Sequence, residues 1–204
     1  MAGVTPDGID LAPLDQQIAY LWDALGRNAV VQELLDVAAR MKLPDWYLGA
    51  SGVSQTVWNL RHGYPAAEGI KDYDLAYFEP SDLSEDSVNR VSRDVGVRMA
   101  DFGVAVDVHN EARVHLWYGK RFGRDIEQYR STGHAISTWP TTASAVGVRR
   151  DDGGSVVFAP FGLSDLLGMV ARPNKVIVSR DVYEEKVARW SARWPLLRVI
   201  PWGV

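Results

Sequence analysis

Three aspartates carry the chemistry that this sequence states most plainly. Asp72 and Asp74 lie in Lys71-Asp72-Tyr73-Asp74-Leu75-Ala76-Tyr77-Phe78, and Asp107 lies in Val104-Ala105-Val106-Asp107-Val108. Both runs are apolar and β-prone, a setting in which an unpaired carboxylate is costly to bury. Residues two apart on a strand share a face, so Asp72 and Asp74 project together while Tyr73, Leu75 and Tyr77 take the other side. Converging carboxylates repel unless a cation bridges them. With Asp107 from a neighbouring strand they would form a set of hard oxygen ligands suited to one or two Mg²⁺ (or Mn²⁺) ions held together with substrate phosphates. A solvated edge strand or a structural Ca²⁺ site accounts for the same residues.

The stretch upstream supplies a seat for phosphate. Trp46-Tyr47-Leu48-Gly49-Ala50-Ser51-Gly52 reads as a short strand ending in small residues, and Val53, Val57 and Leu60 then recur at helical spacing. Strand, tight turn and helix leave unpaired N–H groups at the helix start, where a phosphate is favoured by the dipole and by the Ser51 hydroxyl. Gly49 and Gly52 would admit its close approach, although a plain tight turn is the competing reading. Just after Asp107, Asn110 and Arg113 are placed to reach a nucleotide or its triphosphate, Arg113 by a forked hydrogen bond. An ordinary salt bridge explains Arg113 equally well. His109 and His115 are expected to make structural hydrogen bonds, and Lys71 alternates away from the acids. Arg172-Pro173-Asn174 either bounds the site or caps a helix near Leu166.

Elements must hold these residues in place. Leu14, Ile18, Leu21, Trp22 and Leu25 mark a helix stopped by Gly26, and Asn28 is placed to cap a second one that ends before Pro44. A helix over about 53–61, the Asp72/Asp74 strand, a helix opening at Ser84, the Asp107 strand and a helix over 111–118 follow. Val88, Val91, Val95 and Met99 form the apolar stripe of the Ser84 helix, and Val104, Val106 and Val108 mark the Asp107 strand as buried. Asp151-Asp152-Gly153-Gly154 between two β-prone runs signals a hairpin, and a last helix spans about 182–194. The class expected is α/β (α+β): a mixed sheet flanked by helices, with an N-terminal helical pair and a C-terminal hairpin-helix extension.

Composition narrows the function further. The 204 residues fit one domain over 1–204, with a core at about 46–120 and an extension at about 129–204. A net charge of −4 gives no footprint for a polyanion, so long nucleic acid is an improbable partner. The absence of cysteine excludes disulfides and thiolate chemistry. The four histidines show no zinc-ligand spacing. The eight tryptophans read as core anchors before base-stacking platforms. The start, Met1 to Gly8, has no leader pattern and no apolar run is long enough for a bilayer, so an unexported, cytoplasmic protein without membrane contact is expected.

Ser51-Gly52, Asp72-Tyr73-Asp74 and Asp107, in that order, make the chain resemble the nucleotidyltransferase superfamily of the DNA polymerase β type. More narrowly it resembles a bacterial nucleotidyltransferase family long catalogued as a domain of unknown function. The closer likeness rests on segments including Gln55-Thr56-Val57-Trp58-Asn59, Asp107-Val108-His109-Asn110-Glu111, Ala159-Pro160-Phe161-Gly162-Leu163 and Val170-Ala171-Arg172-Pro173-Asn174. The resemblance covers the chain from about residue 46 onward. It implies an NTP substrate, Asp72, Asp74 and Asp107 as metal-holding catalytic residues, Ser51, Gly52, Asn110 and Arg113 at the nucleotide, and a small-molecule or protein acceptor. Serine stands before glycine in the turn, where the superfamily has glycine first. A catalytically silent nucleotide-binding or regulatory protein that keeps the fold is therefore the alternative reading.

Overall fold

The computed structural model describes residues 7–203, so most of the segment read above for a leader lies outside the described residues. Helices α1 (Leu14–Gly26) and α2 (Ala29–Met41) form the expected pair. The Asn28 side-chain oxygen accepts from the N–H groups of Val30 and Val31, which caps α2. Its amide nitrogen donates to Thr56 Oγ1 at 2.8 Å and approaches the Tyr73 hydroxyl at 3.4 Å. One capping residue thereby ties the pair to the elements that carry the site.

Five strands, β1 (Tyr47–Gly49), β2 (Asp72–Tyr77), β3 (Ala105–Asn110), β4 (Gly147–Asp151) and β5 (Gly154–Phe158), form a mixed sheet in the order β3-β2-β1-β4-β5. The β2–β3 pair is parallel and the other pairs are antiparallel. Parallel neighbours need a crossover, and α4 (Glu85–Arg98) supplies it, capped by the Ser84 hydroxyl on the Ser87 N–H. The register sets Asp74 opposite Asp107, Asp72 opposite Ala105 and Ala76 opposite His109. The β4–β5 hairpin turns at Asp152-Gly153 as its sequence demands. Expected within a C-terminal extension, it pairs Val148 with Leu48 and Gly147 with Gly49 and so completes the sheet beside the strand that enters the site.

Helix α3 (Ala50–Arg61) follows β1 directly, three residues earlier than the apolar spacing predicted. The 111–118 segment is a short 3₁₀ turn, Glu111–Arg113, leading into α5 (His115–Phe122). Helices α6 (Thr132–Ile136) and α7 (Ser164–Leu167) are short, and β6 (Val170–Ala171) pairs in parallel with β7 (Arg198–Val199). Helix α8 (Arg180–Arg193) lies between those two strands in sequence. Trp58 of α3 meets Trp190 and, just beyond α8, Trp194 edge-on at centroid distances of 4.9 and 5.3 Å, which locks α8 against α3. Trp46, Trp58, Trp190 and Trp194 are buried, the anchoring role expected of tryptophan.

The Asp107 strand is not the buried strand that three valines suggested. As the terminal strand of the sheet, β3 leaves Ala105, Asp107 and His109 exposed, with Val108 buried and Val106 half-buried. No helix among the described residues is long and apolar enough to cross a membrane.

Candidate active site

The passage from β1 to α3 differs from the turn that its glycines suggested. Ala50 takes the left-handed conformation, with φ of 44°, whereas Gly49 is extended at φ −150°. A Cβ on Gly49 would lie 2.5 Å from the Trp139 ring and 2.9 Å from the Val146 carbonyl oxygen. On Gly52 it would lie 2.8 Å from Tyr73 Cδ1. Both glycines are therefore required by close packing inside the protein, and Gly52 is buried against Tyr73 rather than open to a phosphate. Ser51 does reach the cleft, and its N–H donates to Asp74 Oδ2 at 3.1 Å.

Two other expected nucleotide contacts are placed elsewhere. Asn110 is buried with its amide committed to the 79–82 loop and to its own turn. The oxygen accepts from Glu79 and Ala112 N–H groups, and the nitrogen donates to the Glu79 carbonyl at 2.8 Å. Arg113 Nε donates to the Leu83 carbonyl at 2.7 Å, on the same loop. Neither side chain joins the acids. Arg172 forms an ion pair with Asp165 of α7 at 2.8 Å, the capping alternative.

The sheet register converts sequence spacing into a cluster. Ligand atoms of Asp74, Asp107 and His109 lie within 4.8 Å of one another. Asp72 does not join that set among the described residues; it shares the face of Asp74 two residues back, near enough to act on its charge. Burial pushes the Asp74 carboxyl above its ordinary value, the Ser51 N–H opposes this, and Asp72 adds to the rise. A crowded acid pair of this type favours a bridging cation, and carboxylates with one imidazole are donors that Mg²⁺ or Mn²⁺ accepts. The residues fit a divalent ion. His109, expected to make a structural hydrogen bond, is instead exposed beside the acids; the Nδ1 of His115 is buried without a partner among the described residues.

A lysine that sequence reasoning missed completes the electrostatics. Lys186 enters from α8 beside Asp74 and Asp72; burial depresses its ammonium, and Asp74 pulls it back up. Two cavities meet at this point. One, of about 450 Å³, is bounded by Asp72, Ser51, Gln55, Lys71, Lys186 and Arg189. Lys71, expected to face away, therefore lies on the same cavity as Asp72. The other, of about 220 Å³, opens beyond Asp74 and is lined by aromatic and aliphatic side chains together with His109, Glu111 and Lys186.

A protein-family model described as a nucleotidyltransferase matches residues 36–199. The chain belongs to this nucleotidyltransferase family. No curated protein matches it. A solved structure described as an NMR structure that reveals a CCA-adding enzyme head domain is 20% identical, with a TM-score of 0.73 over 95% of this chain and 100% of that one. At that identity the likeness concerns the fold, and it agrees with the mixed sheet expected from the sequence. The nucleotidyltransferase family match includes all three aspartates, the α3 entry and Lys186.

Lys186 and Glu111 each left a trace in the sequence. Lys186 interrupts a helical stripe formed by Val182, Tyr183, Val187 and Trp190, so a cation was directed toward the interior. Glu111 is an acid at the head of the segment Ala112 to Tyr118, whose Ala112, Val114 and Tyr118 are buried, and it is 5% exposed.

Proposed function

We propose that this nucleotidyltransferase moves a nucleoside monophosphate from an NTP to the hydroxyl or amine of an acceptor, with Mg²⁺ (or Mn²⁺) held by Asp72, Asp74 and Asp107. The observation that carries this reading is the β2–β3 register, which seats Asp107 beside Asp74 on the face that Asp72 shares, next to a cavity bearing Lys71, Lys186 and Arg189. Divalent ions bound there would stabilise charge on the entering and leaving oxygens.

The chain's own residues account for the rest of the reaction. Lys186 and Arg189 neutralise the triphosphate in the cationic cavity, and the start of α3 at Ser51 faces its negative charge. The acceptor oxygen or nitrogen forms a bond to the α-phosphorus while the bond from that phosphorus to the α–β bridging oxygen breaks. Pyrophosphate leaves toward the lysines and arginine, and the acceptor proton passes to Asp107, the exposed acid of the edge strand. An NTP substrate accords with a cytoplasmic location, and the chain acts as one unit because α8 lines the site while the C-terminal hairpin pairs with β1, the strand that enters it.

One observation favours the silent alternative: the Ser51 N–H is already taken by Asp74. Incubating the protein with each NTP and Mg²⁺ or Mn²⁺, measuring pyrophosphate release and titrating the same nucleotides calorimetrically, separates the two readings. Release that disappears in Asp72→Asn/Asp74→Asn supports transfer, whereas nucleotide binding without release under every metal supports the silent role. Mn²⁺ binding by the double variant equal to the parent's would place the ion elsewhere.

A further inference from the structure

The triphosphate side of the site does not use the second cavity. Along β2 the lining passes from Asp72 on the cationic cavity, through Asp74, to Ala76 on the aromatic one. In an in-line displacement the entering and leaving groups occupy opposite sides of phosphorus. With pyrophosphate directed to the Asp72 side, the aromatic cavity lies on the side from which the acceptor arrives.

Its chemistry is specific. Trp117, Tyr118, Phe122, Tyr129 and Trp139 share the walls with aliphatic side chains. The Tyr129 hydroxyl is paired with Thr138 Oγ1 at 2.8 Å, and the Tyr118 hydroxyl donates to the Ile177 carbonyl at 3.2 Å. Asn174 holds the Trp139 segment by donating to the Ser137 and Trp139 carbonyls at 2.8 and 2.9 Å. Glu111 is the exception. It lines the cavity at 5% exposure, and no described residue donates a hydrogen bond to its carboxyl group. Buried polar groups are ordinarily paired. Aromatic walls with a single unpaired carboxyl group recognise an organic ammonium, through cation–π contact with the rings and a charge-assisted hydrogen bond to the acid. Lys186 also borders the cavity, but its ammonium lies over the Trp190 ring at 5.1 Å and feels the charges of Asp74 and Asp72. At about 220 Å³ the space falls below the usual range of roughly 300–1,000 Å³ for ligand pockets. A single ring system fits it; a polymer segment does not.

We propose that the aromatic cavity is the acceptor seat and takes a small hydroxylated aromatic amine, with the amine on Glu111, the ring against Trp117 and Tyr129, and the hydroxyl toward Asp74. This rests on the transfer reading for the role of the occupant, but the seat itself is tested by binding alone.

Calorimetric titration of the metal-free, nucleotide-free protein with tyramine at about pH 9, where the Glu111 carboxyl is ionised and the amine is still an ammonium, provides the test, with 4-hydroxyphenylacetate as a probe of the same shape that has an anion in place of the amine. Tyramine should bind, the anion should not, and Glu111→Gln and Trp117→Ala should each weaken tyramine by about tenfold or more. Both variants should bind ATP with Mg²⁺ as the parent does, and ATP should not displace tyramine. Absence of tyramine binding, equal binding of the anion, or an unchanged affinity in Glu111→Gln overturns the proposal. ATP binding that weakens in step with tyramine makes the cavity the seat of the nucleobase and also overturns it. If tyramine binds as described while no NTP yields pyrophosphate, the seat stands and the transfer reading falls.

Discussion

Replacing Glu111 with glutamine should alter how folding stability depends on pH, by an amount that the structure sets. Burial, with the Asp74 charge adding to it, pushes the Glu111 carboxyl from its ordinary 4.5 up to about 8. Between these values the unfolded chain has lost a proton that the folded chain retains. The stabilising contribution of the protonated acid is thus complete below the unfolded value and is lost as pH rises, until the folded carboxyl itself ionises. Each unit of separation corresponds to about 1.4 kcal/mol, so the whole window is worth about 5 kcal/mol, of which about 3 kcal/mol falls between about pH 5.5 and pH 8. Glutamine keeps the shape of the side chain and has no proton to lose. Urea unfolding of both proteins in chelator at the two pH values should show Glu111→Gln gaining about 3 kcal/mol on the parent at the higher one. Parallel pH dependences would refute the reasoning, because they would mean that Glu111 is solvated or paired in the folded protein. Mg²⁺ provides an internal check: an ion that neutralises Asp74 lowers the shift and flattens the parent's slope.

Four further substitutions test the site and the packing around it. On the proposed reaction, Asp107→Asn should reduce turnover by orders of magnitude while leaving NTP affinity nearly unchanged, since Asp72 and Asp74 would still face the triphosphate; a fully active Asp107→Asn would remove that residue from the chemistry. Gly52→Ala should lower stability by about 1–3 kcal/mol through contact with Tyr73, whereas Gly96→Ala, exposed within α4 with nothing near its Cβ, should raise it by about 0.5–1 kcal/mol. Thermal melting of both tests the packing account, and a harmless Gly52→Ala would reopen the phosphate role. His109→Asn should weaken Mn²⁺ more than Mg²⁺, because imidazole favours the transition metal; equal losses in spin-resonance and calorimetric titrations would exclude the ring from the ion.

The parts of the fold that local pattern controls were legible. Alternation in β2 placed Asp72 and Asp74 on one face, Asn28 and Ser84 announced their helices, and Asp151 to Gly154 turned as hairpin residues do. What the sequence concealed depended on which atoms approach from elsewhere in the chain. A glycine beside a site has the same letter whether a phosphate or a ring needs the room; Trp139 and Tyr73 decided the matter for Gly49 and Gly52. Three valines in a row of alternating positions suggest burial, but only the strand order shows β3 at the edge, and that edge is what leaves Asp107 and His109 open to a ligand.

Lys186 presents the same difficulty at longer range. It reaches Asp74 from over a hundred residues away in sequence because Trp58, Trp190 and Trp194 clamp α8 to α3. Burying that ammonium is unfavourable on its own, and so is burying Asp74. Each half-buried charge offsets part of the other's cost, and perturbed charges gathered at a cleft are a common mark of a functional site. The clamp of three tryptophans supplies the packing energy that keeps the pair in place. A ligand that brings both a divalent cation for the acids and phosphate for the lysine would satisfy the two charges at once. That match between what the site lacks and what a metal–NTP complex offers is the physical argument behind the proposal that the acids and Lys186 serve one reaction.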